Sequence, residues 1–122
     1  MYQVTWVAIR PDNTVPFFHH SPEAAEYMAT LDYIRENRTD LFIENIREFN
    51  DDMSRWINIW KFENRSKWLE TLAVIRERHP TGVEGARSDW ELARDSYFTE
   101  HEHILIMKIE EDGQELTVQR MC

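Results

Sequence analysis

The sequence predicts an α+β fold in a single domain over residues 1–122, with helices packed against an antiparallel sheet. Two stretches, Tyr2–Arg10 and Met53–Asn64, are apolar on both sides of an extended chain, which is typical of covered strands. Segments with clear helix starts lie between the strands. At 122 residues, with 42% of them hydrophobic, the chain is long enough to bury one modest core.

The first predicted strand, Tyr2–Arg10, alternates Tyr, Val, Trp and Ala with Gln, Thr, Val and Ile. Because neighbouring side chains of a strand point to opposite faces, both faces are largely apolar, as expected for a central strand. Pro11 ends the strand. The loop that follows, Val15–His20, is more apolar than a solvent-exposed loop needs to be.

The first helix is predicted to begin at Ser21. Its hydroxyl can cap the helix, Pro22 suits the first helical position, and Glu23 places an acid in the first turn. The polar run Arg35–Arg38 closes this helix.

A hairpin follows, formed by Leu41–Asn50 and Met53–Asn64 with a tight turn at Asp51-Asp52. The charges of the first of these strands place it nearer the sheet edge. The second strand carries two alternating sets of side chains: Trp56, Asn58, Trp60 and Phe62 on one face, and Arg55, Ile57, Ile59 and Lys61 on the other. Neither set is the polar row of a water-facing strand, so both faces need cover.

Two more helices are predicted. The second, Arg65–His79, can be capped by Asn64 or Ser66, and a proline and a glycine follow its end. The third starts at Ser88 with the spacing of a capping box and runs to about Glu100.

The chain ends with a predicted strand Ile104–Ile109, an Asp-Gly turn, and a polar edge strand Glu115–Arg120. Without the extra helix and the last strand, the order of elements is the split βαβ pattern of the ferredoxin-like fold, with strand order 4-1-3-2 and helices on one face only. The opposite face would be exposed in a monomer. Its apolar residues indicate that a second copy of the chain covers it, giving a homodimer through the sheet face.

Over roughly Tyr2–Ile109, this pattern resembles the dimeric α+β barrel superfamily, in which two ferredoxin-like sheets pack face to face. The superfamily includes small monooxygenases and haem-degrading enzymes. The haem-degrading members use an Asn of the first strand with a Trp and a His. The first strand here has no Asn, so those roles are not assigned to Trp68 and His79.

The opening of the chain is similar to small uncharacterised proteins of tailed marine phages. The likeness lies in Val4-Thr5-Trp6, Arg10-Pro11 and Val15-Pro16-Phe17-Phe18. It covers less than a quarter of the chain and implies no activity.

Composition narrows the classes of function. The formal net charge of −9 disfavours direct binding to nucleic acid or to anionic membranes. Gly-rich phosphate loops are absent from the sequence, which has three glycines. The single cysteine, Cys122, fits a reducing compartment, and no apolar run reaches membrane-spanning length, so a cytoplasmic protein is expected.

Trp6, Trp56 and Trp60, with Asn58 as a polar group, are the predicted ligand-binding residues. They would line a cavity between two sheets and hold a small apolar or aromatic molecule. The alternative interpretation is that these rings form the packed core of the dimer.

Four histidines form a predicted metal site, because the start of the strand Ile104–Ile109 would neighbour the end of the strand Tyr2–Arg10. They are two pairs, His19 with His20 and His101 with His103. The alternative is that all four are surface imidazoles.

The sequence identifies no catalytic residue and implies no cofactor. Its leading interpretation is a homodimeric interaction or structural module that encloses a small apolar ligand between sheets. The alternatives are a cofactor-independent monooxygenase of the α+β barrel type and an acidic phage-type inhibitor that mimics nucleic-acid charge.

Overall fold

The computed structural model describes residues 1–82 and 87–122 of the chain, and within these ranges it has an α+β fold. Its three helices are α1 (Ala25–Asn37), α2 (Arg65–Arg78) and α3 (Asp89–Glu100). Its five strands are β1 (Tyr2–Ile9), β2 (Glu44–Phe49), β3 (Arg55–Phe62), β4 (Ile104–Glu111) and β5 (Gln114–Arg120).

The strands form one antiparallel sheet in the order β2-β3-β1-β4-β5. β1 therefore pairs with β3 on one side and with β4 on the other, as the predicted order of the first four strands requires. The polar strand β5 lies at one edge and β2 at the other, which confirms both edge predictions. A bulge between Ile109 and Glu110 shifts the pairing of β4 with β5.

The helix starts of α2 and α3 follow the predicted chemistry. Asn64 rather than Ser66 caps α2, since its Oδ1 accepts a hydrogen bond from Lys67 N at 3.2 Å. Ser88 and Glu91 form the predicted capping box at the start of α3.

The start of α1 differs from the prediction. Ser21 does not cap a helix; its hydroxyl donates to the carbonyl of Phe18 at 2.7 Å. A 3₁₀ turn, Pro22–Ala24, follows, and α1 begins only at Ala25. The apolar loop before it is explained by burial, because the side chains of Phe17 and Phe18 are in the core.

The first hairpin is shorter than predicted. Leu41 is buried in a turn before β2, so β2 starts at Glu44. A two-residue turn was predicted, but the strands are joined by a longer connection that spans positions 50–54. Met53 in this connection has a positive φ of 64°. The carboxylate of Asp52 organises it by accepting hydrogen bonds from the main-chain N (3.0 Å) and hydroxyl (2.6 Å) of Ser54.

The sheet has one face that packs against the helices and one that does not. The buried cluster joins alternate strand residues to residues of all three helices; its members include Tyr2, Val4, Ala8, Trp56, Trp60, Phe62 and Leu105 from the sheet, and Leu31, Ile34, Ile75, Trp90, Tyr97 and Phe98 from the helices. The opposite face, called the open face below, is defined by the intervening residues Thr5, Val7, Ile9, Ile46, Ile57, Ile59, Ile104 and Ile106. None of these belongs to the buried cluster.

Candidate functional site: a tryptophan-lined cavity

A cavity of about 320 Å³ lies between the helix-covered face of the sheet and the helices α2 and α3. All five tryptophans of the chain line it: Trp6, Trp56, Trp60, Trp68 and Trp90. Its volume is at the lower end of the range for small-molecule sites, and such sites are usually apolar with a few polar groups. We call it the tryptophan cavity.

The strands place the predicted ligand-binding residues in this cavity. Trp56, Asn58 and Trp60 occupy alternate positions of β3, so they share a face, and Trp6 of β1 is directly opposite Asn58. That face is covered by the chain's own helices. The predicted location between two sheets is therefore wrong for these residues, although they do line one cavity.

Asn58 is held in one orientation by a short chain of hydrogen bonds. Its Oδ1 accepts from Asn45 Nδ2 at 2.7 Å, and Asn45 Oδ1 accepts from Arg35 Nε at 3.0 Å. Asn45 Nδ2 also donates to the carbonyl of Ile59 at 2.9 Å. Because this bond sets the orientation of the amide, the N–H groups of Asn58 are held in a fixed direction and are available to a ligand.

Two buried nitrogens on the cavity residues have no hydrogen-bond partner among the described residues. They are His19 Nδ1 and Trp90 Nε1. The His19 ring lies 4.8 Å from the Trp56 ring and 6.2 Å from the Trp90 ring, measured between centroids. Buried polar atoms are rarely left unpaired in native proteins, so the two nitrogens mark positions where a bound molecule could supply a partner.

His19 is a neutral imidazole at neutral pH. Burial, and then the positive charge of Arg94, lower the pKa of His19 to about 3. The cavity wall at this point is therefore a polar but uncharged ring.

The charged residues at the cavity belong mainly to α2 and α3. Arg76 Nε and Nη2 each donate to a Glu91 carboxylate oxygen at 3.1 Å. Burial acts to raise the pKa of Glu91, but hydrogen bonds from Arg76 and Ser88 hold it below its usual range. Glu91 is thus a fixed anion with its oxygens already occupied.

Arg94 is a buried guanidinium, with 6% of the residue exposed. Its Nε and Nη2 both contact Asp95 Oδ1 at 3.1 Å. Its Cζ lies 5.0 Å from the centre of the Trp6 ring, in the range of a cation–π contact. Arg87 also pairs with Asp95, through the other carboxylate oxygen.

The predicted metal-site histidines do not converge. His101 and His103 are neighbours, with ring centroids 5.8 Å apart. The Phe17 ring packs against both His20 and His103, with ring centroids 6.5 Å and 5.5 Å away. His19 instead faces the cavity, and within residues 1–82 and 87–122 no three metal-ligating side chains are grouped as a metal ion would need.

Sequence reasoning did not identify Arg94 or Trp90 as site residues. They are four positions apart on α3, which places both on one side of the helix. An arginine beside an apolar helix face is normally solvent-exposed, so residue type alone does not place Arg94 in a cavity. The Trp90–Arg94 spacing was the only available signal.

Comparisons with protein-family models, with curated proteins and with solved structures give no match. No helix in the described part of the chain has the length and apolar character to cross a membrane.

Proposed function

We propose that this protein binds a small, flat apolar molecule in the tryptophan cavity. The observation that carries the proposal is that all five tryptophans line this one cavity. Five rings gathered around a void leave apolar surface without contacts, and a ligand would restore those contacts. Flat molecules suit such walls because aromatic rings favour offset-stacked or edge-to-face packing.

The polar groups of the cavity support ligand binding over simple core packing. The Asn58 amide is fixed by Asn45, and two buried nitrogens of the cavity lining, on His19 and Trp90, have no partner within residues 1–82 and 87–122. A few oriented polar groups in an apolar wall are what gives a small-molecule site its specificity.

Calorimetric titration with 2-naphthylmethanol, a neutral flat probe, tests this function. We expect saturable binding with a dissociation constant on the order of 0.1 mM, since a probe of this size gains roughly 0.5 kcal/mol per non-hydrogen atom. Leu72→Trp should abolish binding because Leu72 lines the cavity. Leu69→Trp is the matched control, on the same helix but exposed, and should bind as the wild type does. Absence of saturable binding by the wild type, or unchanged binding by Leu72→Trp, would contradict the proposal.

We also propose that the chain adopts the ferredoxin-like arrangement and pairs with a second copy through the open face, as in a dimeric α+β barrel. The strand order and the restriction of the helices to one face support this. The sheet has five strands of up to eight residues, so the open face measures roughly 24 Å by 26 Å. Its flat area of roughly 600 Å² approaches the ~800 Å² per partner of a stable interface.

The charges of the open face favour a second copy as its occupant. One row across the sheet runs Glu48, Ile57, Val7, Ile106, Arg120. It has an acid at one end, a base at the other and apolar residues between. A twofold axis along β1 would bring Glu48 opposite Arg120 of the second copy and Val7 opposite its own counterpart, so the face is complementary to itself.

The cofactor-independent monooxygenase and the acidic inhibitor remain predictions. No contact in the described residues favours either of them over a binding protein.

A further inference from the structure

We infer that the natural ligand of the tryptophan cavity is an aromatic carboxylate, whose anionic group binds the guanidinium of Arg94. This inference rests on the proposed function, because it names the class of ligand for the same cavity.

Arg94 has hydrogen-bonding capacity that the protein does not use. A guanidinium carries five N–H donors. Within the described residues its polar contacts are to a single oxygen, Asp95 Oδ1, through Nε and Nη2. The same oxygen accepts from Cys122 Sγ at 3.3 Å. A buried guanidinium with one shared acceptor retains donors that an incoming carboxylate can take.

The charges around the cavity are unbalanced in favour of an anion. Three arginines line it, Arg76, Arg87 and Arg94, and two carboxylates are paired with them, Glu91 and Asp95. The difference, three minus two, is one positive charge. The side chains of Arg76 and Arg87 are 36% and 40% exposed, whereas that of Arg94 is 8% exposed, so Arg94 is the cation that an anion in the cavity would stabilise most.

The surroundings of Arg94 favour an anion attached to an aromatic ring over a free ion. The cavity wall is mainly apolar, and a free carboxylate or phosphate would lose its water there without gaining apolar contacts. The Trp6 ring lies against the guanidinium at 5.0 Å, and the Nε–Nη2 edge contacts Asp95, which leaves the Nη1 donors and the second Nη2 donor for a carboxylate. The rings of the remaining tryptophans would contact the ligand's aromatic part.

Titration with a matched pair of probes at neutral pH tests this inference. The pair is 2-naphthoate, which is anionic, and 2-naphthylmethanol, which is neutral and nearly the same size. We expect the wild type to bind the acid about tenfold more tightly, which is the size of a charge-assisted hydrogen bond. Arg94→Met should reduce this preference, measured as the ratio of the two dissociation constants, to about twofold or less.

Two further variants keep the test decisive. Asp95→Asn removes the carboxylate that competes for Arg94, so it should tighten binding of the acid and not of the alcohol. Arg78→Met is the control, since Arg78 packs on the Tyr33 ring with its Cζ 3.6 Å from the centroid and does not line the cavity. It should retain the wild-type preference.

The failures of the two proposals are distinguishable. If neither probe binds, the proposed function is wrong. If both bind the wild type equally, the cavity binds ligands but the anionic class is wrong. If Arg94→Met does not fold, as judged by circular dichroism, the wild-type pair and Asp95→Asn still decide the outcome.

Discussion

At the scale of single residues, His19 links the cavity to the stability of the fold. Its pKa is lowered to about 3 by burial and by Arg94, whereas an unfolded histidine has an ordinary pKa near 6.5. Below the ordinary value the unfolded chain binds a proton that the folded chain does not. The folded state therefore loses stability as the pH falls through this range.

Replacing His19 by Phe should remove this pH dependence. Between pH 7.5 and pH 5 we expect the wild type to lose roughly 2 kcal/mol more of its free energy of unfolding than His19→Phe. At pH 7.5 the variant should be nearly as stable, because Phe keeps the contact with Trp56 and Nδ1 has no hydrogen bond to the described part of the chain. Urea unfolding at the two pH values measures both quantities. An equal loss in both proteins would show that His19 is not held neutral by the fold.

Glu91, like His19, makes the folded state less stable as the pH falls. Its pKa lies below the usual range because of Arg76 and Ser88, although burial opposes the shift. A carboxyl whose pKa is lower in the folded state stabilises the fold at pH values above its pKa in the unfolded chain. This contribution is lost as the pH falls through its pKa in the folded state.

Glu91→Gln should lower the free energy of unfolding by about 2 kcal/mol at neutral pH, since it breaks the ion pair with Arg76 and weakens the capping box. The difference from the wild type should shrink as the pH falls through the depressed pKa of Glu91, because the wild-type carboxyl then becomes protonated as well. Glu77→Gln is the control, exposed on α2, and should change stability by less than ~0.5 kcal/mol. A loss that does not depend on pH would exclude the ionic contribution.

Residue types at fixed spacing were enough to predict some of this chemistry and not the rest. The capping box of Ser88 and Glu91 is local, so three positions of sequence contain the whole interaction. The second partner of Glu91 is Arg76, on a different helix. Only the packing of α2 beside α3 brings these two together, and no spacing in the sequence records it.

At the scale of elements, the two hairpins show how turn residues set the length of a connection. Asp112 and Gly113 both have positive φ, of 51° and 81°, and they join β4 to β5 in a two-residue turn as the Asp-Gly signal predicts. Asp51-Asp52 lacks a glycine, and that connection lengthens to positions 50–54. The presence of both hairpins was thus predictable from the sequence. The two-residue length was predictable only for the turn that contains a glycine.

Gly113→Ala should lower the free energy of unfolding by about 1 kcal/mol. The cost is backbone strain at positive φ, since no atom of the described residues, apart from the two chain neighbours, lies within 4 Å of the added Cβ. Gly113→Asn should cost less, because Asn tolerates this backbone conformation better. Urea unfolding measures both variants. If alanine and asparagine cost the same, strain at positive φ is not the cause.

The period of a strand predicted which side chains share a face but not what covers that face. The alternation of β3 correctly separated Trp56, Asn58 and Trp60 from Ile57 and Ile59. Both sets are apolar enough to be buried, so the pattern gave no reason to assign the helices to one set. The assignment follows from the packing of the helix stripes, which a two-residue repeat does not contain.

At the scale of the whole molecule, the open face gives the prediction that the chain is a dimer in solution. Sedimentation at protein concentrations of roughly 100 μM should give a mass near twice the 14.8 kDa of one chain. Val7→Lys should give the mass of one chain, because it places a charge at the centre of the open face. Leu92→Lys, an exposed position on α3, is the control and should remain a dimer.

Charge reversal separates pairing through the open face from association through another surface. Glu48→Arg should weaken the dimer, because it sets two bases opposite each other in the proposed pairing. The double variant Glu48→Arg with Arg120→Glu should restore it, since the two ends of the row have only exchanged signs. A wild type that sediments as one chain would overturn the pairing and leave the tryptophan cavity as a site complete within a single chain. A dimer that Val7→Lys does not dissociate would place the interface elsewhere on the molecule.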